Sequence, residues 1–420
     1  MRAGALISLA SLVAATQHQH TFQRTGQRLE SCKWRPPSPR LACAIDEDEE
    51  QKPWTEAQVP NEETDLEPPP SRWEGPHGCA GQYCVFANKG FASGRGIVAI
   101  TTTQNIQRLK QIEKDEYPPD EKPQPDSPPP YVVAAVQGKG LGLLANKTLH
   151  RGDTIMKKTP AILVHRAFFE SVAVAHQPQD ALLDSAVALL PPPLRKEFLA
   201  QMGGSPSAIL ATNSFQMDIG GGGGSGDGHH YGNFPEVSRL NHDCRANAAF
   251  HIGADLAHTT TAARDVDPGA ELAISYIDPL LPRAARQQRI RHAWGFACGC
   301  ALCGSSHKAA DKSDARLREI ARTEAALADF TDASVTARVL GRLVQLYADE
   351  RLDASVAGAY TLVALNYNML GDAGRAQRYA RLAHEALVIE KGAAHGDLAE
   401  MAELARSPRA HFTWRARVRR

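Results

Sequence analysis

Two hydrophobic rhythms divide the chain. Through its middle, apolar residues come in short runs broken by glycine, proline and turn residues at roughly 8–12-position intervals, which predicts a mostly β domain rather than a doubly wound one. The earliest runs are Tyr83-Cys-Val-Phe86 and Gly96-Ile-Val-Ala-Ile100, followed by a helix start near Gln104. Then come Tyr131 to Val136, Leu143 to Ala145, Thr154 to Met156 and Ile162 to Val164, separated by turns at Gly138-Lys-Gly-Leu-Gly142 and Arg151-Gly-Asp153. A helical patch covers Ala181 to Leu190, and Asp267-Pro-Gly269 is a further tight turn. Beyond Asp314 the spacing changes to three and four, as in Tyr360, Val363, Tyr367 and Leu370, so an all-α region is expected over 309–405. The fold class is therefore α+β.

Other stretches carry neither rhythm. Residues 16–77 are rich in proline and acid, with Asp46-Glu-Asp-Glu-Glu50 and Pro68-Pro-Pro70, and cannot bury enough surface to order themselves. Residues 117–130 form a proline-rich linker between a small N-terminal segment, 78–116, and the β domain, 131–293. Gly220 to Gly228 reads as a flexible insertion. Residues 1–15 have one positive charge and then an apolar run with small residues at Val13 and Ala15. They read as a secretory signal, with an unprocessed tail as the other reading. Export would make Asn146-Lys-Thr148 a glycosylation acceptor; otherwise the compartment is nuclear or cytoplasmic. The run is too short to span a bilayer, and no other segment reads as transmembrane.

Lys+Arg and Asp+Glu both total 47, so the net charge is zero, which argues against charge-driven nucleic-acid binding. The local run Arg283, Arg286, Arg289 and Arg291 reads as a solvated helix face. The helix–turn–helix around Gly371-Asp372 resembles one degenerate tetratricopeptide-type unit. A single unit forms no solenoid, so its apolar stripe is expected to pack on the β domain.

The chemistry is concentrated in cysteines. Cys298-x-Cys300-x-x-Cys303 supplies three thiols at short spacing, and Cys244 a distant fourth, a set that suits one structural zinc over the segment 294–304. Disulfides among the four are the competing reading. The remaining cysteines are Cys32, Cys43, Cys79 and Cys84, of which Cys79-x4-Cys84 could close a small loop in an oxidising compartment. The two inferences about redox state pull in different directions.

Cys244 sits in Phe234-Pro-Glu-Val-Ser-Arg-Leu-Asn-His-Asp-Cys-Arg-Ala-Asn247, and here the chain resembles the SET-domain protein methyltransferases. The closest branch is the SET-and-MYND-related one. Gly138-Lys-Gly-Leu-Gly142, Thr212-Asn-Ser-Phe215, the central string, Gly269 to Asp278 and Trp294 to Cys303 match that family's motifs in order. No cysteine lies between Cys84 and Cys244, so the MYND zinc module is not expected. The resemblance implies small curved sheets with a pseudoknot that brings Asn241-His242 beside Tyr276. It implies S-adenosylmethionine as cofactor and a protein lysine, histone or non-histone, as substrate. Tyr276 would be the catalytic hydroxyl. Lys139, Gly140, Leu141, Asn213, Ser238, Leu240, Asn241, His242, Tyr276 and Phe296 would line the cofactor site. Trp294 stands where the branch usually has an aromatic lining the lysine channel. Asp243, Ala246 and Ala270 depart from the family pattern; Ala246, in place of a ring-locked proline, would loosen its loop. The expected function is protein-lysine N-methyltransferase. The alternative is a weak or inactive SET fold that acts as an interaction module through its helices.

Overall fold

The computed structural model describes residues 72–115, 128–172, 178–220 and 228–418. The expected signal, nearly all of the proline- and acid-rich stretch, Cys32, Cys43, most of the linker and residues 221–227 lie outside the described residues.

A six-stranded sheet runs in the order β1 (Cys79–Ala80), β2 (Tyr83–Asn88), β3 (Ile97–Thr101), β7 (Ile162–His165), β9 (His229–Asn233), β8 (Ser214–Asp218). The N-terminal segment thus shares a sheet with the later chain. β3 pairs in parallel with β7, Val98 opposite Ile162 and Ile100 opposite Val164. The run Ile97 to Thr101 is buried on both faces, which explains its unbroken apolar character. Phe86, Ile97 and Ala99 face one core, with Leu143, Leu163 and Phe234. Val85, Val98 and Ile100 face another, completed by α2 (Arg166–Val172), α3 (Pro178–Leu189), α4 (Pro192–Leu199) and α5 (Pro206–Asn213). α1 (Thr103–Asp115) follows β3. Cys79 and Cys84 are partners in the β1–β2 register and are joined by a disulfide.

A second sheet has the order β10 (Asn241–His242), β13 (Glu271–Ile274), β5 (Gly140–Ala145), β4 (Tyr131–Val136). A third has β11 (Ala248–Ile252), β12 (His258–Ala262), β6 (Thr154–Lys158). The predicted strands at Tyr131, Thr154 and Ile162 all form, and the glycine turn between β4 and β5 uses positive φ at Gly138 and Gly140.

α6 (Arg283–Trp294) ends on Gly295 in the left-handed conformation. Its arginines are not one solvated face. Arg286 is fully buried and its guanidinium donates to the Leu281 carbonyl, because the helix lays this position against the turn that precedes it.

The C-terminal region is helical: α7 (His307–Ala328), α8 (Ala337–Asp349), α9 (Ala357–Met369), α10 (Ala373–Lys391) and α11 (Asp397–Arg406). Gly371, at positive φ, ends the chain's run through α9, and Asp372 caps α10 by accepting the Arg375 N–H at 2.9 Å. The apolar stripe of α9 packs inside this bundle and not on the β domain. Val363 and Tyr367 join its core, and Tyr367 stacks on Tyr379 with ring centres 5.5 Å apart. α10 makes the contact with the sheets instead, Ile389 closing on Ala249 and Ala263. Among the described residues no helix is long and apolar enough to cross a membrane.

Candidate active site

The central string is brought to the strand ending near Tyr276 by a short parallel pairing. β10 lies beside β13 with Asn241 opposite Ala273 and His242 opposite Ile274. Asn247 pins the same crossing a second time. Its amide donates to the Glu271 carbonyl at 2.8 Å and accepts the Ala273 N–H at 2.9 Å. The β13 strand is thereby held at two points of the central string, at Asn241-His242 and at Asn247.

Tyr276 is held from three sides. Its backbone N–H donates to His242 Nδ1 at 3.0 Å, its hydroxyl donates to the Leu240 carbonyl at 2.7 Å, and its ring lies 5.1 Å from that of Trp294. Burial first, and then the Glu271 carboxylate, pushes the phenol pKa well above its usual range, so the hydroxyl stays protonated. Its lone pairs remain able to accept from an incoming amine. Because His242 Nδ1 is an acceptor, Nε2 carries the hydrogen and faces Cys244 Sγ at 3.3 Å. Burial is the main reason that the imidazole is pushed down to about 4 and stays neutral.

Glu271, which the sequence reading did not single out, organises the neighbouring edge. One oxygen pairs with Lys139 Nζ at 2.6 Å and the other accepts the Asn241 amide at 2.9 Å. It occupies the second acid position of the Gly-Glu-Glu motif, which was the available signal. Asn241 also donates to the Leu141 carbonyl at 3.3 Å. Gly142 makes room for this arrangement: a Cβ there would lie 2.6 Å from Val136 Cγ2 and 2.8 Å from Asn241 Nδ2.

The other expected residues divide. Leu240 is buried, and its carbonyl serves Tyr276. Ser238 bonds the Pro235 carbonyl of its own turn at 2.6 Å. Asn213 spends its amide on the carbonyls of Ile209 and Met202, at 2.8 and 2.9 Å, so these bonds do not join it to Asn241. Trp294 links the two regions, its indole N–H donating to the Thr212 carbonyl at 3.1 Å while its ring faces Tyr276. Leu141 and Phe296 stand exposed at 49% and 40%, with apolar surface toward solvent.

The string's first turn is braced by the N-terminal segment. Arg95 makes a bidentate pair with Glu236 at 2.6 and 2.8 Å, a contact that spans 141 residues of sequence.

Cys244, Cys298, Cys300 and Cys303 are all buried, with their sulfurs within 4.8 Å of one another. Cys244 Sγ lies 3.6 Å from Cys303 Sγ and 3.9 Å from Cys298 Sγ. A tetrahedral zinc with bonds near 2.3 Å would hold its sulfurs about 3.8 Å apart. All four are free of disulfide bonds. The donor set fits a closed structural zinc site.

The family profile described as SET domain matches residues 140–277. N-lysine methyltransferase SMYD2 of Gallus gallus is 34% identical over 87 residues, 21% of this chain and 19% of that protein; the Homo sapiens protein of the same name gives the same identity and coverage. Histone-lysine N-methyltransferase set5 of Schizosaccharomyces pombe is 23% identical over 296 residues, 67% of this chain and 85% of that protein. The chain thus spans about a fifth of the length of the SMYD2 relatives it matches. The parallel strand pair, the ordered motifs and these matches lie in one stretch: residues 140–277 match the SET-domain family, and the chain is similar there to SET-domain lysine methyltransferases.

Proposed function

We propose that the protein is an S-adenosylmethionine-dependent protein-lysine N-methyltransferase. One observation carries the reading: within the region matching the SET family, a half-buried, protonated Tyr276 hydroxyl is fixed on the Leu240 carbonyl, directly beside Asn241-His242. The cofactor's amino-acid end is a zwitterion. The edge offers one cation, one anion and one amide in contact, Lys139, Glu271 and Asn241. A Cβ at Gly138 or Gly140 would meet nothing within 4 Å, so the main chain there is open to close approach. These features fit the cofactor. When bound, it supplies an electrophilic methyl carbon on a sulfonium.

The protein's part is orientation and dehydration. A lysine amine must be neutral to attack, and its pKa in water is about 10.4, so a dry site beside a fixed positive charge must favour the free amine. Tyr276 can accept a hydrogen from that amine and aim its lone pair, while Trp294 closes the aromatic wall. The cysteine cluster takes no part in the reaction. A four-thiolate zinc has no open position, and its role would be to hold residues 294–304, Phe296 included, against the central string.

Calorimetry with S-adenosylhomocysteine tests the reading. Wild-type protein should bind one equivalent, and Asn241→Ala should bind more weakly by about 1–3 kcal/mol, the cost of an unpaired polar partner. Folded, zinc-loaded wild type with no detectable binding would refute it.

A further inference from the structure

Ala246 stands where a proline would lock the backbone, so the 243–247 loop relies on hydrogen bonds, one of them internal, from the Arg245 N–H to Asp243 Oδ1 at 2.8 Å. Others reach it from outside. Arg245 Nη1 donates to the carbonyls of Cys244 and Pro279, at 2.8 and 2.9 Å, so one guanidinium ties the cysteine loop to the turn just past Tyr276. Arg264 Nη1 donates to the Ala246 carbonyl at 2.9 Å. Both arginines are anchored in the helical region. Arg264 pairs with Asp353 at 3.2 Å, and Arg245 pairs with Glu350 at the C-terminal end of α8.

Glu350 is the stronger anchor. Its side chain is 1% exposed, and it also accepts from Ser313 Oγ at 2.7 Å and Arg316 Nε at 2.6 Å, both on α7. A carboxylate so enclosed is retained only because its partners are in place, and removing it would strand the Arg245 cation. Without Glu350, Arg245 loses the ion pair that fixes its guanidinium, and its hold on the Cys244 and Pro279 carbonyls weakens.

We propose that Glu350 is a positioning residue for the methyl-transfer site, acting through Arg245 to make the helical region a clamp on residues 243–247 and 276–279. The proposal rests on the methyltransferase reading for its functional meaning. The clamp itself is physical and can be measured without cofactor.

Three proteins separate a clamp from a general packing role: wild type, Glu350→Gln, which keeps shape and an acceptor but loses charge, and Arg316→Gln, which removes the other cation of Glu350 and leaves Arg245 untouched. Hydrogen exchange of unliganded protein reads the loop directly. In Glu350→Gln, amides in 243–247 and 276–282 should exchange faster by about tenfold or more, with α9 and α10 unchanged. Arg316→Gln should leave those two segments at wild-type rates. Cofactor affinity, measured in parallel, should fall in Glu350→Gln and hold in Arg316→Gln. Equal acceleration in both variants, or wild-type exchange in Glu350→Gln, would overturn the proposal. The exchange comparison decides the clamp whether or not the wild type binds cofactor, so failure of the functional reading shows separately, as absent binding in the wild type.

Discussion

Gly142→Ala should weaken both the fold and the cofactor site, although the substitution looks benign in sequence. Gly142 lies in β5 at ordinary φ, where replacing glycine by alanine normally gains about 0.5–1 kcal/mol from reduced backbone entropy. Here the new methyl would sit 2.6 Å from Val136 Cγ2 and 2.8 Å from Asn241 Nδ2, about 1 Å inside comfortable contact. Overpacking of this kind costs about 1–3 kcal/mol. Asn241 cannot retreat by that much and keep its 2.9 Å bond to Glu271 and its 3.3 Å bond to the Leu141 carbonyl. A lost bond to a charged acceptor adds about 1.5–3 kcal/mol. Set against the entropic gain, the net loss of stability is about 1.5–5.5 kcal/mol, from the overpacking and bond terms together. Urea unfolding followed by circular dichroism should show a lower midpoint, and calorimetry should show cofactor affinity reduced by about tenfold or more. A midpoint equal to or above wild type, with unchanged affinity, would refute the argument that Gly142 exists to seat Asn241.

Two further outcomes follow from other parts of the molecule. Elemental analysis of protein purified without added metal should find close to one zinc per chain. Cys300→Ser should lower zinc content and cofactor affinity together, because metal binding and order in 294–304 are linked, and a variant keeping both would contradict the assignment. Glu390 accepts the N–H groups of Val356 and Ala357 at the start of α9, and burial lifts its carboxyl to about 7 against an ordinary 4.5. The folded chain then binds more protons than the unfolded one between those values. This contribution to stability is full below about pH 4.5 and is lost as pH rises to about 7. Glu390→Gln keeps an acceptor and should flatten that fall in urea midpoints between about pH 5 and about pH 8; an unchanged slope would count against it.

How much of this was legible depended on how local each signal is. Tyr131 to Val136 and the Ala181–Leu190 helix follow from patterns a few residues long, and the helix forms as Pro178–Leu189. The glycine turn and the capped break at Gly371-Asp372 are equally local. The four cysteines converge as expected. What escaped was long-range pairing. Nothing in Ile97 to Thr101 announces a parallel partner at Ile162, and nothing in Arg95 announces Glu236. Arg286 and the α9 stripe were misplaced for the same reason, since periodicity gives a face but not its neighbour. Asn213 was matched by position, yet its amide is used locally at the end of α5.

The central claim is that Tyr276 orients a lysine amine for methyl transfer. Tyr276→Phe removes one hydroxyl and keeps the contacts to His242 and Trp294, so the fold and most cofactor affinity should survive. The decisive measurement is transfer of labelled methyl from S-adenosylmethionine to a protein and peptide array by wild type and Tyr276→Phe at matched zinc content. The account predicts label on lysines of at least one protein by wild type and near loss of it in the variant, with cofactor affinity little changed. Wild-type labelling no greater than that of the variant on every target would contradict it.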